Sequence, residues 1–234
     1  MIKAVLFDKD GTLVEFEETW HSIFKEIFRH LQKKEGLSKE KTEGIKKISG
    51  FKEDGFEKES LIQYATVEEI LIKWERQICE DKFSKDFLRK IMEDYSKGSK
   101  AHIFPLPGAI ETLKNLYQKG FILGVATADS KESTKEHLYR LGVENYFHFI
   151  GSDDGFYRGK PDPHMGEVFM ERHGLKPEEV LYVGDSLTDM AFAKGLGFKF
   201  IGVKGKNNSW EDFAAQGYPV IQNIKEIEGL LSVV

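Results

Sequence analysis

The sequence predicts an α/β fold: a Rossmann-like parallel sheet with helices on both faces, interrupted by an inserted α-helical domain. Three observations predict it. A short apolar run, 4–7, opens the chain and ends at Asp8. From Pro105 onward, short apolar runs alternate with amphipathic stretches closed by glycine, the pattern of β-α units joined by right-handed crossovers. Between these stretches apolar residues recur at helical spacing and convincing β-runs are absent. The reading places the core domain at 1–14 and 100–234 and the inserted helical domain at 15–99.

The elements follow in order. Residues 4–7 form a buried strand. Phe16, Trp20, Ile23, Phe24, Ile27, Phe28 and Leu31 line one face of an amphipathic helix. Lys/Glu-rich helical sequence continues to about Tyr95, including 67–79 and 87–95, with Gly50 and Gly55 bracketing a loop between helices. Pro107-Gly108 opens a helix closed by Gly120. A buried strand at 121–126 precedes a helix through Leu138 and Leu141, stopped at Gly142. A strand at 146–150, a helix at 163–173, a strand at 180–183, a helix at 187–194 and a strand at 199–203 follow. A short strand near 218–221 and a C-terminal helix finish the pattern.

Composition limits the function. The 234 residues carry a net charge of -5, so there is no basic footprint for a nucleic-acid partner. A single cysteine, Cys79, excludes an intrachain disulfide and a cysteine-rich zinc site, and suits a reducing cytosol. No apolar run nears the about 20 residues that span a bilayer, and no signal peptide is visible. The expectation is a cytoplasmic protein without a membrane partner.

The chemistry concentrates where the predicted strands end. Asp8-Lys9-Asp10-Gly11-Thr12 places two carboxylates two residues apart where the first strand turns out. Near a hard cation one can act as nucleophile while the other carries a proton. The second core strand runs out at Thr127-Ala128-Asp129, and the fourth at Gly184-Asp185-Ser186 with Asp189 one turn on. Ligands of open α/β sheets bind at those ends. Singly, each residue has an ordinary reading. Lys160 is a loop lysine, Thr127 a helix N-cap, Asp185 a turn former, and Asp189 an acid at the positive end of its own helix.

Together, in this order, the motifs resemble the haloacid dehalogenase-like (HAD) hydrolase superfamily, in its branch of phosphoglycolate phosphatases and β-phosphoglucomutases with a helical cap. Asp8-Lys9-Asp10-Gly11-Thr12-Leu13 is similar to the first family motif, Thr127 to the second, and Lys160 in Gly159-Lys160-Pro161-Asp162-Pro163 to the third. Gly184-Asp185-Ser186-Leu187-Thr188-Asp189 is similar to the fourth. The resemblance implies a magnesium-dependent phosphatase of a small phosphorylated metabolite: phosphoglycolate-like, a sugar phosphate or a nucleotide. Asp8 would attack the phosphate ester to give an aspartyl-phosphate. Asp10 would protonate the leaving oxygen and then deprotonate water. Thr127 and the amides near Ala128 would hold phosphoryl oxygens, and Lys160 would neutralise charge. Asp8 and Asp185, with Asp10 through its backbone carbonyl, would bind Mg2+, and Asp189 would support them. The second acid, Asp10, separates this chain from the dehalogenases, whose halide leaving group needs no proton.

Lys9 departs from the usual apolar residue at its position and is either a solvated side chain or a cation presented to the inserted domain. In that domain, the 49–54 loop resembles a β-phosphoglucomutase loop that carries an arginine where Lys52 stands. Lys52 is therefore a candidate contact for a distal anion, and His21, near the expected hinge, a candidate substrate contact. Hinges are expected near 14–15 and 99–104. Trp20 reads as core. The remaining histidines receive no role. A phosphomutase using the same motifs and a non-catalytic binding protein are the competing readings.

Overall fold

The computed structural model describes residues 1–58, 60–97, 102–206, 208 and 210–231. Contacts divide the chain into two compact units, Met1–Glu15 with Pro105–Val234, and Phe16–Phe104. In chain order, β1 (Ala4–Phe7) is followed by α1 (Phe16–Lys33), α2 (Lys39–Ile48), β2 (Phe51–Lys52), β3 (Gly55–Phe56), α3 (Leu61–Tyr64), α4 (Val67–Ile78) and α5 (Lys85–Lys97). The first unit then resumes with α6 (Ala109–Gln118), β4 (Ile122–Ser130), α7 (Lys131–Arg140), β5 (Phe149–Asp153), α8 (His164–His173) and β6 (Val180–Gly184). It ends with α9 (Leu187–Leu196), β7 (Lys199–Val203), α10 (Trp210–Ala215), β8 (Val220–Ile221) and α11 (Ile227–Leu230).

The first unit is the expected α/β fold. Its six strands lie in the order β5-β4-β1-β6-β7-β8, every pair parallel. All strand ends of one sense therefore meet at one edge. The order reverses at β1, which pairs with β4 on one side and β6 on the other, and such a switch point opens a crevice beyond the strand ends. Phe149, Phe169, Phe192, Phe200 and Phe213 build the core around the sheet, and burying each stabilises by about 1.5–3 kcal/mol. The turn after β1 hangs on one atom. The Lys9 carbonyl accepts the amides of Thr12, Leu13 and Val14 at 3.3, 2.8 and 2.9 Å, while Gly11 takes the left-handed φ of 81° that closes it.

The second unit packs α1 through its predicted apolar stripe. Phe24 and Phe28 meet the fully buried Trp74 of α4 at 5.9 and 5.4 Å between ring centroids. Trp74 Nε1 donates to Ser49 Oγ at 2.7 Å, and that hydroxyl donates to the Ile45 carbonyl at 2.6 Å, so the buried indole is satisfied. Trp20 belongs to the same core. Thr66 and Glu69 form a capping box that starts α4.

Three expectations change. The 50–55 loop is a small antiparallel hairpin, Phe51 opposite Phe56 and Lys52 opposite Gly55. Its loop is Glu53-Asp54, which is not one of the favoured hairpin pairs, and strands of two residues leave no alternation to read. The strand expected at 146–150 starts at Phe149 instead, because the amides of Tyr146 and Phe147 bond back to Val143 and Glu144 in a 3-10 turn. β4 continues past Ala126 to Ser130, with irregular pairing to β5 between those residues. Apolarity stops there; the extended backbone does not. Of the expected 99–104 hinge, residues 99–101 lie outside the described residues. Among the described residues no helix is long and apolar enough to cross a membrane.

Candidate active site

Asp8 leaves β1 with its amide bonded to the Val183 carbonyl of β6 at 2.8 Å, which sets it beside the end of that strand. Asp185 follows β6 directly. Gly11 shows how close the two loops come: a Cβ at Gly11 would lie 2.2 Å from Asp185 Oδ2. The glycine after the second Asp therefore serves twice, for its φ and for the space the Asp185 carboxylate fills. Asp8, Asp185 and Asp189 each offer an oxygen within 4.8 Å of the others, all three buried.

Lys160 binds this cluster. Its Nζ donates to Asp8 Oδ1 at 2.7 Å, Asp189 Oδ1 at 2.6 Å and the Tyr182 hydroxyl at 3.1 Å, which uses all three ammonium protons. Burial alone would lower its pKa, but Asp189 and Asp8 outweigh it and hold the ammonium above its ordinary range. Asp189 is saturated. Besides Lys160, its Oδ1 accepts from Tyr182 at 2.9 Å, and its Oδ2 accepts from Ser186 Oγ at 2.6 Å and the amides of Ser186 and Asp185 at 3.1 and 3.2 Å. It caps its own helix, as one ordinary reading had it, and also fixes Lys160.

Burial pushes the Asp8 carboxyl up to about 7, Lys160 pulls it down, and the Asp189 and Asp10 charges push it up again. Burial, then the Asp8 and Asp189 charges, raise Asp185 well above the carboxylate range. The pair is short of positive charge, and hard oxygen donors in such a cluster fit a divalent cation. The sign for stability follows. The folded protein holds protons on Asp8 and Asp185 that the unfolded chain has released, so stability is full below the ordinary carboxylate pKa and is lost as pH rises through the folded values. Without divalent ions, the unfolding midpoint is expected to fall between about pH 4 and pH 7. A flat profile over that range, in chelator, would contradict the charge deficit.

Thr127 is buried within the irregular end of β4, and its hydroxyl accepts the Asp129 amide at 3.2 Å. It does not cap a helix: Ser130 is the cap of α7. Ala128, its neighbour, is half-buried. Asp8, Asp10, Thr127, Lys160, Asp185 and Asp189 thus all belong to the first unit. His21 and Lys52 belong to the second, where they meet each other. His21 stacks on Phe51 at 4.6 Å, and its Nε2 donates to the Lys52 carbonyl at 3.0 Å. The Lys52 side chain is 53% exposed, its ammonium 3.9 Å from Glu57.

Sequence reasoning missed several members. Tyr182 was read only as strand; a lone Tyr in the buried run Val180–Gly184 needs a partner for its hydroxyl, which was the available signal. Lys9 is not a solvated side chain: it is 0% exposed, and within the first unit its ammonium lies 2.6 Å from Asp10 Oδ2 and 3.0 Å from Asp129 Oδ2. Burial opposes its charge, but Asp10 and Asp129 hold its pKa above the ordinary value. His137, given no role, is buried with Nδ1 3.2 Å from Lys9 Nζ.

Known proteins match this architecture. The family model of haloacid dehalogenase-like hydrolases matches residues 5–203. The chain is 34% identical over 130 residues to a phosphoglycolate phosphatase of Vibrio vulnificus, spanning 54% of this chain and 56% of that protein. It is 30% identical over 233 residues to the glyceraldehyde 3-phosphate phosphatase of Methanocaldococcus jannaschii, 97% of this chain and 96% of the relative. The crystal structure of CbbY from Rhodobacter sphaeroides in complex with phosphate superposes with a TM-score of 0.73 at 22% identity, covering 97% and 96% of the two chains. With three motifs at the ends of parallel strands, Lys160 reaching the first of them from the segment between β5 and α8, and a family match across most of its length, the chain belongs to the haloacid dehalogenase-like hydrolases, in the phosphoglycolate phosphatase and β-phosphoglucomutase-like branch.

Proposed function

We propose that this HAD-type phosphatase hydrolyses a small phosphorylated metabolite through an aspartyl-phosphate on Asp8, with Mg2+ as cofactor. The observation that carries the reading is the Lys160 clamp. A buried carboxylate sits beyond a strand end at the switch point, paired at 2.7 Å with a lysine that Asp189 and Tyr182 hold in place. The ion would be held by Asp8, Asp185 and the Asp10 backbone carbonyl. It supplies the positive charge that lets an anionic nucleophile approach an anionic phosphate.

The residues divide the remaining work. An Asp8 oxygen attacks phosphorus, and the bond from phosphorus to the leaving oxygen breaks with its electron pair. Asp10 passes a proton to that oxygen, so the alcohol leaves neutral. Water then attacks the phosphorus, Asp10 takes the water proton, and the bond to Asp8 breaks to release inorganic phosphate. Thr127 and the backbone amides about Ala128 orient phosphoryl oxygens. Lys160 favours the ionised form of Asp8 against the burial that raises its pKa, and offsets the charge that gathers in transfer.

The helical unit serves in this reading as a cap that excludes water and sets specificity. Lys52 contacts a distal anion of the substrate, and His21 holds the Lys52 hairpin. Replacing Lys52 with Ala is expected to raise KM about tenfold, equivalent to about 1.4 kcal/mol of lost binding, with kcat little changed. An unchanged KM on the true substrate would remove Lys52 from the site.

The deciding experiment is phosphate release from a panel of small esters, including phosphoglycolate, triose and sugar phosphates and nucleotides, with and without Mg2+. Metal-dependent hydrolysis of one small ester is expected. Transfer between positions of a sugar bisphosphate with little free phosphate would replace hydrolysis by a mutase reaction. No reaction with any ester would leave a binding role.

A further inference from the structure

We infer that Lys9 is a positioning residue for the phosphoryl-transfer reaction, its ammonium clamped by Asp129 and His137 so that it holds the Asp10 carboxyl in place for both proton transfers. The inference rests on the phosphatase reading and extends it to a residue outside the family motifs' expected chemistry.

Four observations converge. First, Lys9 sits between the two acids of the first motif, and its side chain has no exposure. Second, Nζ is enclosed by three partners: it pairs with the carboxylates of Asp10 at 2.6 Å and Asp129 at 3.0 Å, and lies 3.2 Å from His137 Nδ1. An ammonium only donates, so Nδ1 accepts and the ring proton lies on Nε2, which faces Ser133 Oγ at 3.4 Å.

Third, the acceptors are themselves fixed. Asp129 Oδ1 accepts the Ser130 amide at 2.7 Å, and Ser133 follows in the first turn of α7, where its amide bonds Ser130 Oγ at 3.2 Å. Fourth, the clamp joins two strand ends. Asp10 follows β1, whereas Asp129 lies two residues beyond Thr127 in β4. The network therefore sets the acid-base carboxyl against the element that carries the phosphoryl-binding hydroxyl. Asp10 is the least enclosed of these carboxylates, with 14% of its side chain exposed against 5% for Asp129. A group so placed needs a buried anchor to keep one orientation.

A buried ion cluster adds little stability over apolar packing of similar volume. Its distinctive contribution here is direction. The Lys9 carbonyl, which nucleates the turn after β1, is a backbone atom and survives any side-chain replacement. Lys9→Met therefore tests the ammonium alone.

The test compares p-nitrophenyl phosphate, whose leaving group departs without a proton, with the most active alkyl phosphate of the panel, whose leaving oxygen needs one. In the wild type both are turned over. In Lys9→Met, kcat on the alkyl ester is expected to fall about 100-fold or more, the usual contribution of a placed acid-base group. The first turnover of p-nitrophenyl phosphate should fall far less. Because Asp10 also serves the second step, that substrate should show a stoichiometric burst of p-nitrophenolate as phosphorylated Asp8 accumulates.

The double variant Lys9→Met/Asp129→Asn removes one charge of each sign and guards against simple misfolding, checked by thermal unfolding. The same substrate split and burst in it would support the assignment. Equal losses on both substrates without a burst, with Asp8→Asn inactive, overturn the assignment alone. Failure of both variants to fold assigns the cluster to stability and overturns it too. Turnover that survives Asp8→Asn overturns the phosphatase reading, and this inference with it.

Discussion

Replacing Asp8 with Asn is expected to lower kcat/KM by on the order of 10⁴-fold or more on every ester the protein hydrolyses, because no other group replaces the attacking oxygen. The same change should not weaken the fold. Burial raises the Asp8 carboxyl to about 7, so above neutrality its ionised form is held against its preference. An amide of the same shape removes that repulsion from Asp185 and Asp189, and its oxygen can still accept from Lys160, without the ion pair. In chelator at pH 8 the variant should unfold no earlier than the wild type, and its midpoint should depend less on pH between about 4 and 7. Loss of activity together with retained or higher stability is the signature of a residue placed for chemistry. Residual turnover near the wild-type level would remove Asp8 from the reaction.

Lys160→Met is expected to damage both properties. The lysine is 5% exposed and compensates two buried carboxylates directly. Without it, Asp8, Asp185 and Asp189 share a buried cluster stripped of the ammonium that pairs with it, and breaking such a pair is destabilising by about 3–5 kcal/mol. Activity should fall by about 10²–10³-fold, the range for removing one electrostatic group from a transition state. The direction with pH distinguishes this from a packing defect. As pH falls, the stranded carboxylates take up protons and the deficit shrinks, so the stability difference from wild type should be larger at pH 8 than at pH 5. Urea unfolding at the two pH values measures it. An equal difference at both would mean that methionine merely packs badly.

Much of this molecule follows from local rules. The apolar run before Asp8, the Asp-Gly turn, the glycines that stop helices and the helical spacing of Trp20, Phe24, Phe28 and Leu31 each act within a few residues, so a linear reading finds them. The same rules placed Asp8, Thr127 and Asp185 at strand ends, and parallel pairing brought those ends to one edge. The hairpin at Phe51–Lys52 has strands too short for alternation, and the 3-10 turn at Glu144–Tyr146 captured amides that an apolar run had assigned to a strand.

The sequence by itself determined the order of α/β units, the helical insertion and the identity of the four chemical motifs, since each is written in short-range periodicity and turn chemistry. Only the tertiary structure decided which charges meet. Lys160 reaches Asp8 across 152 positions and Lys9 reaches His137 across 128. No spacing along the chain encodes such a distance. From sequence Lys9 reads either as a solvated lysine, as isolated lysines usually are, or as a cation presented to the inserted domain. Its burial is tolerated because folding gathers the Asp10 and Asp129 carboxylates and His137 around its ammonium, which offsets the loss of water.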